Sequence, residues 1–67
     1  MELLIGETYL VTINHDNMDG ATLVGCVKAI RGNKIDFKNV MIDKGLGEQY
    51  YKIMTIDKSV ITNIKKW

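Results

Sequence analysis

Apolar side chains in this chain recur at every second position rather than every third or fourth, and that periodicity restricts what it can fold into. Residues 6–14, GETYLVTIN, place Tyr9, Val11 and Ile13 on one side and Thr8, Leu10 and Thr12 on the other. Residues 21–31, ATLVGCVKAIR, put Leu23, Gly25, Val27 and Ala29 on one face and Val24, Cys26, Lys28 and Ile30 on the opposite one. Both faces of the second run are mostly apolar. No window of ten or more residues sustains a 3.6-residue period with a cap, so the pattern predicts an all-β domain. The β-branched residues support it: five Val, nine Ile and five Thr, 19 of 67 positions, lie in short runs separated by Gly, Asn and Asp.

The runs order themselves into five strands. His15 to Gly20, HDNMDG, is rich in residues that bond their own main chain, and forms a loop. Arg31-Gly32-Asn33-Lys34 offers two residues suited to positive φ between alternating runs, a tight hairpin signal. Ile35, Phe37, Val40 and Ile42 mark the third strand, and the break in alternation near Asn39 predicts a bulge. Asp43 to Gln49 forms a second glycine-bearing loop, and Tyr50 to Ile56 the fourth strand. Asp57-Lys58-Ser59 turns the chain, and Ile61 and Ile64, three apart, suit one tight helical turn running into a fifth strand. Gly25, with no side chain to pack mid-strand, marks a bend, a bulge or a close backbone approach. Residues 1–67 make a single domain, because a chain this short supports one small core.

Five short strands, a long first loop, a tight middle hairpin and a helical turn before the last strand resemble the SH3-like small barrel. Leu23-Val24-Gly25-Cys26-Val27, followed by Asn33-Lys34-Ile35-Asp36-Phe37, is similar to the Sm and Hfq pattern of an apolar-x-Gly-x-apolar strand crossing a hairpin into polar-apolar alternation. The match covers the second and third strands, about a third of the chain. The resemblance implies a five-stranded barrel and raises RNA or single-stranded nucleic-acid binding. The sequence lacks an N-terminal helix, a Met-Asn type of base-stacking loop and an Ile-Arg-Gly segment at the last hairpin, so the family's RNA-binding residues are not carried over.

The chemistry-bearing residues are few. His15 is the sole histidine, and its Asp- and Asn-rich loop reads as solvated or capping. Cys26, the sole cysteine, sits mid-strand with neither a base nor a helix N-terminus nearby to activate it, and reads as a small core residue. Asp16 to Gly20 fails as a calcium loop, because its third position is Met18 and its fifth is Gly20. Gly45-Leu46-Gly47 lacks the following helix that would present amides to a phosphate. No catalytic residue, metal site or cofactor is therefore predicted, and the chain is read as non-enzymatic. One cysteine excludes an internal disulfide, and a secreted chain this small would need several; a reducing, cytoplasmic setting is expected. No stretch resembles a signal peptide or a membrane span.

Charge and surplus apolar surface supply the functional expectations. Residues 1–20 hold Glu2, Glu7, Asp16 and Asp19 and no Lys or Arg, whereas residues 21–67 hold nine basic against four acidic side chains, for a net charge of +1. Lys28, Arg31, Lys34 and Lys38 flank the middle hairpin. With Lys65 and Lys66 they could contact phosphates beside Tyr50, Tyr51 or Trp67, or guard exposed strand edges against aggregation. The two-sided strands give more apolar surface than a small barrel's interior can hold, and Leu10, Val24, Cys26 and Ile30 form the candidate oligomer face. The leading expectation is a binding module acting by protein contact as an accessory, adaptor or inhibitor, self-associated as a homo-oligomer with strand-edge pairing as one mode. Chains of this size are common among phage and mobile-element products. The alternatives are an Sm-like nucleic-acid binder using the Lys28–Lys38 hairpin, and an oligomer sequestering a small ligand such as a nucleotide near Tyr50 and Tyr51.

Overall fold

The computed structural model describes residues 3–14, 21–43 and 48–67. Five antiparallel strands form one sheet: β1 (Thr8–Ile13), β2 (Ala21–Arg31), β3 (Lys34–Asp43), β4 (Glu48–Asp57) and β5 (Ile61–Lys66). A single 3₁₀ turn, Lys58–Val60, precedes β5. The spatial order is β4-β3-β2-β1-β5, so β4 and β5 are the two edges and the sheet is open. All-β architecture, the extent of the second strand and a short helical turn before the last strand agree with the sequence, but the turn falls on Lys58–Val60 with Ile61 and Ile64 in β5. Asp43, Glu48 and Gln49, read as loop, belong to β3 and β4 because strand pairing carries on through them. The His15–Gly20 loop and positions 44–47 of the second loop lie outside the described residues.

An open sheet of this order must still curl. Five flat strands about 4.8 Å apart would separate the outer two by roughly 19 Å. The 3₁₀ segment, rising about 2 Å per residue, spans roughly 8 Å between Asp57 and Ile61. The sheet therefore bends until its edges approach at this corner. The bend is secured there by the Lys58 N–H, which donates to the Asn33 carbonyl at 2.7 Å, and by the Asn14 N–H, which donates to the Val60 carbonyl at 2.8 Å. Asp57 caps the turn, its carboxylate accepting from the Ser59 N–H at 2.9 Å.

Two irregularities produce the curvature. Between Val24↔Met41 and Cys26↔Lys38 the register gains one residue on β3, at Asn39. Asn39 has φ 53°, a left-handed conformation that its short polar side chain tolerates. Opposite it lies Gly25, where an added Cβ would sit 3.1 Å from Phe37 Cβ and 3.2 Å from Val40 Cγ2. Both the bulge and the close approach were legible in the sequence. A second shift, between Val27 and Ala29, places the extra residue on β2 at Lys28. At the hairpin, Gly32 takes φ +58° and Asn33 stays negative, as in a type II′ turn.

The concave face holds the core: Tyr9, Val11, Ile13, Ala21, Leu23, Val27, Ile35, Phe37, Val40, Ile42 and Ile56. Phe37 and Val27 are wholly inaccessible. The bulge at Asn39 makes this possible, because it lets Phe37 and Val40, three apart, both point inward. No polar side chain is buried among the described residues. A straightforward test is Gly25→Ala. The methyl group must displace Phe37 and Val40, so urea unfolding should show a loss of about 1–3 kcal/mol, whereas Asn39→Gly, which removes the left-handed cost, should be tolerated without loss.

Candidate functional site

Strand pairing carries the outer face of the sheet into register. Lys65 stands opposite Leu10, Leu10 opposite Val24, Val24 opposite Met41, and Met41 opposite Tyr50. One row thus crosses all five strands, and its four central and β4 positions are apolar or aromatic. Below it runs Thr8, Cys26, Lys38 and Ile53. Leu10, Val24, Cys26 and Met41 are half-buried, while Ile53 is exposed and Tyr50 is 71% exposed. Three of the four residues of the sequence-derived oligomer face come together in these two rows. Ile30 does not. The extra residue at Lys28 reverses the alternation, so Ile30 pairs with the buried Ile35 and lies on the concave side at the hairpin end, 37% exposed. Met41, which follows the bulge at Asn39, and Ile53, on the regularly paired β4, were not named for this face from the sequence.

The basic residues do not assemble into one patch. Arg31 is held by Asp36 in a two-pronged pair, Nε to Oδ2 at 3.0 Å and Nη2 to Oδ1 at 2.9 Å. Thr55 Oγ1 donates to the same carboxylate at 2.7 Å. Lys34 Nζ lies 3.3 Å from Asp57 Oδ2, and Lys66 Nζ lies 3.0 Å from Glu7 Oε2. Among the described residues Arg31, Lys34 and Lys66 thus each face a carboxylate, which reduces the charge available to phosphates. Lys28 and Lys38 lie on β2 and β3, and Lys65 on the far edge strand.

The aromatic residues are split as well. The Tyr50 hydroxyl donates to Glu48 Oε2 and the Tyr51 hydroxyl to Gln49 Oε1, both at 2.7 Å. With Asn39, Val40 and Lys52 these two rings line a shallow depression beside β4. Trp67 lies at the opposite edge, its backbone N–H donating to the Thr8 carbonyl at 3.1 Å, and is 67% exposed. Cys26 is half-buried, with Val27 O 3.9 Å from its sulfur. Among the described residues no group of three or more His, Cys, Asp or Glu could hold a metal. Among the described residues no helix is long and apolar enough to cross a membrane. His15 and the Gly45-Leu46-Gly47 segment lie outside the described residues.

Electrostatics at the surface are local. The Arg31 guanidinium, then the Thr55 hydroxyl, hold the Asp36 carboxyl below the usual carboxylate range, and Asp36 in turn raises Arg31. Asp57 is lowered first by its bond from the Ser59 N–H and then by Lys34. The bond to Glu48 raises the Tyr50 phenol.

No family model matches the chain, and no curated protein matches it. Solved structures do. A chain in the crystal structure of the NatC complex bound to CoA superposes with a TM-score of 0.73 at 20% identity, covering 96% of this chain and 86% of that one. A chain of the NatC complex bound to Gag peptide and CoA gives 0.73 and 20%, covering 90% and 80%. At this identity the likeness is one of fold.

The depressed carboxyls give a pH dependence of defined sign. A carboxyl whose folded pKa lies below its unfolded value stabilises the fold fully above the unfolded value, about 4, and loses that contribution as the pH falls through the folded one. Thermal melts should therefore fall progressively below about pH 4. In Asp36→Asn the fall should be smaller and the neutral-pH melting temperature lower.

Proposed function

We propose that the chain is a non-enzymatic, SH3-like small barrel of Sm-like strand order that acts by protein contact and self-associates. The observation that carries this reading is the row Leu10, Val24, Met41 and Tyr50, extended by Cys26 and Ile53, on the face turned away from the core. Total accessible area is 4449 Å², close to the roughly 4,300 Å² expected for a compact monomer of this mass. The chain is thus ordinary in the amount of surface it exposes, and on this face that surface includes Leu10, Val24, Met41, Tyr50 and Ile53. A contact covering the outer rows would remove half-exposed Leu, Val and Met side chains from water, each contributing about 25 cal/mol per Å² of apolar area.

The free edges supply a second element of the same reading. β4 and β5 each have one neighbour, so each presents a line of main-chain donors and acceptors. β4 carries Tyr50, Tyr51 and Ile53 among its exposed residues, and such an edge favours pairing with another strand over lying open to solvent. The sheet's curl at the 3₁₀ corner supports the barrel reading. In this reading the role is that of an accessory, adaptor or inhibitor.

Sedimentation equilibrium tests the reading. The wild type should sediment above 7.6 kDa at micromolar to millimolar concentration. The double variant Tyr50→Ser/Ile53→Lys, changed only at exposed positions, should keep its circular dichroism spectrum and associate at least tenfold more weakly, about 1.4 kcal/mol. A wild type that remains a 7.6 kDa monomer throughout overturns self-association.

A further inference from the structure

At the corner where the sheet edges approach lies a hollow of about 360 Å³, lined by Ile13, Met54, Ile56 and Val60 with Lys34, Thr55 and Asp57 at its margin. It is the place where curling brings the end of β4 beside the end of β1 without joining them. Its apolar floor and single ion pair are the composition of a site for one aromatic ring with a polar edge, and its volume lies within the range of ligand pockets. Lys34 and Asp57 are 3.3 Å apart and both side chains remain partly solvent-exposed. Asp57 keeps the Ser59 N–H whether or not Lys34 moves, so the pair can open without stranding the carboxylate.

The chain carries one residue suited to that hollow. Trp67, the only tryptophan, is 67% exposed, and its backbone N–H donates to the Thr8 carbonyl. An indole offers a large apolar ring to Met54, Ile56 and Val60, a π face to the Lys34 ammonium, and an N–H to the Asp57 carboxylate. It cannot reach the hollow of its own copy. Trp67 adjoins Thr8 at one end of β1, the hollow adjoins Ile13 at the other, and five strand steps separate them by roughly 17 Å.

We infer that Trp67 of one copy plugs the Ile13–Met54–Ile56–Val60 hollow of a second copy. The inference rests on the self-association reading above and specifies a plug-into-hollow contact in it. Plug and hollow are different surfaces, so the contact is either made twice, reciprocally, across a two-fold dimer or repeated head-to-tail into a ring or a filament.

The single tryptophan makes the test direct. As wild-type protein is concentrated, intrinsic emission should shift to the blue in step with the rise in sedimenting mass. Val60→Arg fills the hollow, and Met54→Arg does so from the half-buried lining on β4 should the first variant fold poorly. Either should keep the red emission of a solvated indole and associate at least tenfold more weakly. Trp67→Ser should do the same in mass. Mixing Trp67→Ser, which has a hollow and no plug, with either Arg variant, which has a plug and no hollow, should restore a complex with one copy of each and the blue shift. If the wild type associates while its emission stays red, or the Arg variants associate as the wild type does, or the mixture fails to pair, the plug is overturned and strand-edge association stands. A monomeric wild type overturns both.

Discussion

The curl of the sheet depends on what is missing at position 25. With no side chain there, β3 approaches β2 so closely that an added Cβ would stand only 3.1 Å from Phe37 Cβ and 3.2 Å from Val40 Cγ2. Asn39, in left-handed conformation directly across, takes up the extra residue that the bend requires. The two features form a single device. The glycine gives the room, the bulge supplies the chain length, and together they turn Phe37 and Val40 into the same interior. Without the bend the edges would stand too far apart for the three residues of the 3₁₀ turn to connect them.

Curling has two consequences for what the molecule presents outward. It gathers the apolar residues of one face into a sealed core, so the other face is left as a set of cross-strand rows with no second layer over it. It also brings β4 toward β5 at one corner only, which leaves both edges unpaired along their length and a hollow where they approach. Surface, edges and hollow follow from one geometry. Each is a place where a lone copy ends with apolar groups or main-chain groups partly exposed, and the protein-contact reading draws on all three.

Much of this was legible residue by residue. Tyr9, Val11, Ile13, Leu23 and Val27 announced an inward face by alternation alone, and Gly25 and Asn39 announced where regularity would fail. The limits of period-two reading appear just past those irregularities. Ile30 sits on the side opposite to the one alternation assigns it, because Lys28 is an extra residue that no local signal marks. Met41 joins the outer row because the bulge at Asn39 shifts the alternation of β3 by one residue. The hairpin cations looked like one basic cluster in the sequence, yet Arg31 and Lys34 find Asp36 and Asp57, and Asp57 is 23 positions away from its lysine.

The amino-acid order by itself determined the all-β class, the strand count, the extent of the second strand, the helical turn and the position of the principal bend, since each is set by neighbours a few residues apart. Only the folded arrangement decided which apolar residues share the outer rows, which cations retain free charge, and that Trp67 and the hollow stand at opposite ends. Those properties are relations between strands. They depend on register and curvature, which accumulate across the whole sheet and are shifted by every single-residue bulge.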